Sequence, residues 1–131
     1  MKRIILFALL VLSLSSLKAQ EIKAETGKQF MQITTVESVV GGGLGRSKMI
    51  ITNPDGSQKD SDLENLFSLA GINFKNIKEN EDKIVRVLKG YTDEGWKVDY
   101  VTSFTLSPSD NGLGIFMTRY LLSRPEVKRA F

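Results

Sequence analysis

Cysteine and histidine are both missing from this 131-residue chain. The first absence excludes disulfides, thiolate nucleophiles and cysteine-held zinc or iron–sulfur centres. The second removes the commonest general base, the commonest metal ligand and the side chain that titrates near neutrality. Catalysis here would have to rest on paired carboxylates or a serine–lysine arrangement, and no such constellation stands out. Asp93 and Glu94 are neighbours in sequence and do not face each other on a helix. Proline is scarce at three residues and tryptophan occurs once, at Trp96.

A surplus of one charge is also lacking once the first residues are set aside. Lys2 and Arg3 precede an apolar run, Ile4 to Leu14, of the length of a signal h-region and short for a membrane span. A cut after Ala19 is expected, with residues 1–19 a cleaved signal peptide and Gln20 the new N-terminus. The formal charge of the whole chain is +3, from 18 basic and 15 acidic residues. Lys2, Arg3 and Lys18 precede the cut and no acidic residue does, which leaves fifteen of each sign. No basic patch survives that subtraction, so nucleic acid is not an expected partner. The expected address is exported, periplasmic or secreted, without a stable membrane span after cleavage. No cysteine follows the apolar run, so a lipid-modified cysteine anchor is excluded.

The remaining 112 residues suit one domain with its own core. Residues 20–29 read as a flexible lead-in and 125–131 as a loose tail, around a single domain over 30–124. Phe30 to Val40 is rich in β-branched residues and reads as a strand. Gly41 to Gly45 breaks it, and Arg46 to Thr52 reads as a second strand of a hairpin. Asn53-Pro54-Asp55-Gly56 is a turn. Asp60 to Ala70 fits a short helix, capped by Asp60 or Ser61, with Leu63, Leu66, Phe67 and Ala70 as its apolar stripe and Gly71 as its stop. A longer helix begins at Asn76, which forms a capping box with Glu79, or at Asn80. Its inner face holds Ile77, Ile84, Val85, Leu88 and Tyr91, and Gly95 ends it. Trp96, Val98, Tyr100 and Phe104 then alternate as one face of a strand. Ile115 to Ser123 is the last strand, paired with the previous one. The order β-β-α-α-β-β predicts a two-layer α+β domain, an antiparallel sheet of about four strands with helices packed on one face.

The stretch Gly90 to Val98, GYTDEGWKV, followed by strands ending in Arg119-Tyr120-Leu121-Leu122, resembles a family of small secreted bacterial domains of unknown function. In that family a helix ends in Glu-Gly-Trp and leads into a strand hairpin. Gly43 to Ser47 and Gly71 to Phe74 add to the resemblance. It implies a fold and no activity. The family carries an acidic residue after the tryptophan, where this chain has Lys97, which argues against a catalytic carboxylate there.

The glycine run is the most tempting binding motif. GGGLGRSK lacks both the P-loop spacing and the third glycine of a dinucleotide loop, where Arg46 stands. It reads as a hairpin connection, with an anion- or ligand-binding loop of Gly43, Gly45, Arg46, Ser47 and Lys48 as the functional alternative. Asp55, Asp60, Asp62 and Glu64 suggest calcium. Counted from Asp60, however, the positions that an EF-hand gives to glycine and glutamate hold Asn65 and Gly71. No metal and no cofactor are expected. Trp96 is either a sugar-stacking platform or core, and its alternation with Val98 and Tyr100 favours core. Arg119 is expected on the solvent face or paired with an acid. The expected function is an exported, non-catalytic interaction module for a protein or envelope component. The alternative is a small-molecule or glycan binder with a pocket near Gly41 to Gly45. An exposed apolar sheet face or edge would favour the first, and an enclosed pocket the second.

Overall fold

A computed structural model describes residues 27–40, 45–107 and 114–126. The expected signal segment, most of the lead-in, Gly43 and the last five residues lie outside the described residues. Residues Gly27–Glu126 form a compact unit. Its elements are β1 (Lys28–Ser38), β2 (Ser47–Thr52), β3 (Gln58–Leu63), β4 (Phe67–Ser68), β5 (Gly71–Ile72), α1 (Phe74–Asp93), β6 (Lys97–Leu106) and β7 (Ile115–Pro125). Five strands make one antiparallel sheet in the order β3-β2-β1-β7-β6, and β4 with β5 makes a two-residue ladder.

The expectation of four strands with two helices is therefore corrected: among the described residues the fold is mostly antiparallel sheet with one helix. The segment expected as the first helix, Asp60 to Ala70, is β3 followed by the β4–β5 ladder. The turn before it decides this. Gly56 takes φ +81°, its N–H donates to the Asn53 carbonyl (2.9 Å), and the Asp55 carboxylate accepts from the Ser57 N–H (2.9 Å) and hydroxyl (2.7 Å). The chain thus doubles back onto β2, and Asp60 and Asp62 land beside Lys48. A helix of eleven residues is marginal by itself, whereas a hairpin fixed by its turn gains six paired residues with Leu63 buried. Gly71, expected as a helix stop, has φ +104° in the β4–β5 turn.

The helix begins earlier than expected. Asn73 caps it, its Oδ1 accepting from the Asn76 N–H at 3.3 Å. Neither Asn76 nor Asn80 is the start, and Asn80 is instead buried at 1% exposure. Ile84 is buried, and Val87, Leu88 and Tyr91 pack beside it, while Val85 is exposed. Gly95 ends the helix with φ +87°, and the Trp96 N–H returns to the Tyr91 carbonyl at 3.1 Å.

That corner drops Trp96 into the core at 4% exposure, with the Arg124 guanidinium 4.4 Å from its ring centre. Around it lie Met31, Ile33, Met49, Ile51, Leu63 and Leu122, which all belong to the sheet face that carries α1. Ile33 is fully buried and contributes about 2 kcal/mol on that account. The shared face expected for Trp96, Val98, Tyr100 and Phe104 does not exist. Trp96 precedes β6, and the register slips at Asp99, between Val98 and Tyr100. Val98 pairs with core-facing Leu122, whereas Tyr100 and Phe104 pair with Leu121 and Met117 on the outer face. A single extra residue sends the following side chains to the opposite side.

Candidate functional site

The proposed glycine-loop residues divide between the two faces of β2. Gly45 lies against Ser38: a Cβ at that position would collide with the Ser38 side chain. The buried Ser47 hydroxyl accepts from the Ser38 N–H (2.9 Å) and donates to Asn65 Oδ1 (3.1 Å). Arg46 is exposed. Lys48 points to the outer face, where it pairs with Asp60 and stands 3.9 Å from Asp62. The hydrogen bond and charge of Asp60 hold the Lys48 ammonium above its usual value, and Lys48 in turn holds the Asp60 carboxyl below the usual range. A cavity of about 380 Å³ is lined by Gly45, Arg46, Ser47 and Lys48 together with Asp62 and Glu64. Lys48 of this loop is thus engaged by carboxylates, and Arg46 shares the cavity lining with Asp62 and Glu64. Gly43 lies outside the described residues.

A polar knot missed in the sequence reading lies next to this loop. Asn80 Nδ2 donates to the Glu64 carbonyl and to Glu37 Oε1, both at 2.9 Å, and Asn80 Oδ1 accepts from the Glu64 N–H at 2.7 Å. Asn76 Nδ2 donates to the Asn65 carbonyl at 2.7 Å. The signal was present: Ile77, Asn80, Ile84, Leu88 and Tyr91 fall at spacings of three and four, so Asn80 sits on the inner stripe. Beside the knot, a cavity of about 440 Å³ between α1 and β7 has Ile77, Ile84, Val85 and Leu88 on its walls, with Glu37 and Tyr120. Burial, with the Glu37 charge adding, pushes the Tyr120 hydroxyl above the usual phenol range.

Two stretches of the described residues expose large apolar side chains: Leu69, Ile72 and Phe74 around the β4–β5 turn, and β6. All ten residues of β6 are exposed. Tyr100 stands at 70% exposure and Phe104 at 56%, and Val101 and Leu106 are also more than half exposed. α1 lies over the β1–β2 side of the sheet and leaves β6 uncovered on both faces. On the outer face, one transverse row runs Asp60, Ile50, Thr34, Arg119, Thr102 through the five strands. Arg119 is exposed and meets no hydrogen-bond or ion-pair partner among the described residues. Together with Thr102, Ser103, Phe104 and Met117 it lines a cavity of about 430 Å³.

Among the described residues no helix is long and apolar enough to cross a membrane, and no three acidic side chains gather in a metal-holding group. Comparison with protein-family models, with curated proteins and with solved structures finds no match to this chain.

Proposed function

We propose that this chain is an exported, non-catalytic interaction module that docks a protein partner or envelope component on the β6 side of its sheet. The observation that carries this reading is β6, ten exposed residues with Tyr100, Phe104 and Leu106 together on its outer face. Monomers seldom leave a contiguous apolar patch of more than a few hundred Å² uncovered unless it serves binding. An exposed tyrosine, phenylalanine and arginine on one surface are also the residue types that dominate interface energetics. The export half of the reading rests on Lys2, Arg3 and the apolar run from Ile4 to Leu14. The non-catalytic half rests on a chain without histidine or cysteine.

A photoreactive residue at position 104, introduced in the cells that express the protein, tests it. Ultraviolet light should yield one dominant adduct to a protein or envelope component, and the same residue at position 59 on β3 should not. No adduct at 104, or equal adducts at both positions, would overturn the reading. A second reading draws on the cavity beside Gly45, Arg46 and Ser47: a small-molecule or glycan binder. It predicts ligand-induced NMR shifts centred on Ser47 and Asn65, with β6 unmoved.

A further inference from the structure

We infer that β6 accepts an extended segment of a partner protein as a sixth strand, with an acidic side chain opposite Thr102 that pairs with Arg119. The inference rests on the protein-docking reading and specifies its partner.

The two edges of the sheet differ. β3 is six residues long and carries Lys59, Asp60 and Asp62, the charged pattern that discourages strand addition. β6 has its charges, Lys97 and Asp99, only at the end before the register slip. From Tyr100 to Leu106 it has no charge and no proline. Its outer edge meets no strand among the described residues, so it presents unpaired backbone N–H and C=O groups to an incoming chain.

The side chains specify what that chain carries. On the outer face β6 presents Tyr100, Thr102 and Phe104 in alternation, with Arg119 directly behind Thr102 on β7. The carboxylate in Arg119's row, on Asp60, lies three strands away, roughly 14 Å, and is already engaged by Lys48. A strand added to β6 would lie roughly 10 Å from β7. Threonine is short enough to let the guanidinium pass over it, and an arginine and a glutamate together span that gap. Partner residues two positions before and after the acid fall on the same face, beside Tyr100 and Phe104, and should be apolar. A second copy does not supply this chemistry. A two-fold axis normal to the sheet that sets Thr102 opposite its own copy would bring two Arg119 side chains onto one row, and Tyr100 to Leu106 contains no acid to separate them.

The test uses a labelled peptide, acetyl-Thr-Val-Thr-Glu-Thr-Val-Thr-amide, and its lysine-centred twin, titrated into the isotope-labelled protein. The glutamate peptide should bind at least tenfold more tightly, and it should slow amide exchange at alternate residues of β6. Arg119→Gln should erase the preference while leaving the fold intact, as judged by an unchanged spectrum of the core. Equal binding of the two peptides, a preference that survives Arg119→Gln, or protection mapping away from β6 would each overturn the inference. So would sedimentation showing a dimer in which Ser103→Cys, the sole cysteine, cross-links to itself. If position 104 captures a partner in cells and the peptides still do not discriminate, the strand assignment fails and the docking reading stands.

Discussion

Asn80 and Glu64 are paired as two strand residues would be: one side-chain amide of α1 occupies both the N–H and the carbonyl of a backbone residue just past β3. The same amide reaches Glu37 on β1, the middle strand of the sheet. Asn80→Leu keeps the branching at Cγ and removes all three bonds. With the group buried at 1% exposure, the loss should reach about 2–4 kcal/mol, read from urea titration. A cost below about 1 kcal/mol would show that water replaces the amide.

Thr35 gives the opposite sign. It is 1% exposed, in the central strand, and its hydroxyl has no hydrogen-bond partner. Thr35→Val keeps the shape and removes the desolvated oxygen, so it should stabilise by about 1 kcal/mol. A loss of stability of the same size would mean that the hydroxyl is satisfied in solution.

Gly95 has φ +87° with open space around its Cβ position. The cost of Gly95→Val is therefore backbone strain without a clash. It should be well over about 1 kcal/mol by urea titration, and Gly95→Asn should recover most of it. Equal stability of the valine variant and the parent would remove Gly95 as the helix stop.

Acid stability should be set in part by the β2–β3 hairpin. The Asp60 carboxyl is held down by the hydrogen bond and charge of Lys48, and the Asp55 carboxyl by its bonds from Ser57. A depressed folded pKa means stability that is present above the unfolded value of 3.8 and lost as pH falls through the folded value. Lys48 runs the other way: its contribution is present below 10.5 and lost as pH rises through its raised value. Asp60→Asn and Asp55→Asn should each flatten the drop in urea midpoint between about pH 5 and pH 2.5. Salt at about 1 M should shrink the Asp60 effect, which includes a charge pair at the surface, more than the Asp55 effect.

Export has a direct readout. Mass spectrometry of the exported fraction should find Gln20 at the N-terminus, and an intact Met1 there would refute the proposed cut.

What could be read from the sequence follows physical lines. The strand character around β1 and β2 was legible because β-branched residues cluster there, and the corner at Gly95 and Trp96 because a glycine stop and a lone tryptophan mark it. β3 was not. Of its six residues only Leu63 is buried, so alternation gives no signal, and Leu63, Leu66, Phe67 and Ala70 happen to fall at helical spacing. The register slip at Asp99 leaves no mark in the residues, and with it went the facing of Tyr100 and Phe104. Asn80 was passed over because a polar residue near a helix start suggests a cap. Its place on the apolar stripe was the better clue.

The central pairing also has a consequence in time. β1 pairs along its whole length with β7, from Lys28 opposite Pro125 to Ser38 opposite Ile115. Nearly the entire described chain separates these partners. During synthesis β1 can gather β2 and β3, but its other flank must wait for the last strand to be made. Until then the middle of the sheet is itself a raw edge. Such late, long-range closure predicts slow folding, and a nascent chain most prone to mispair just before β7 appears.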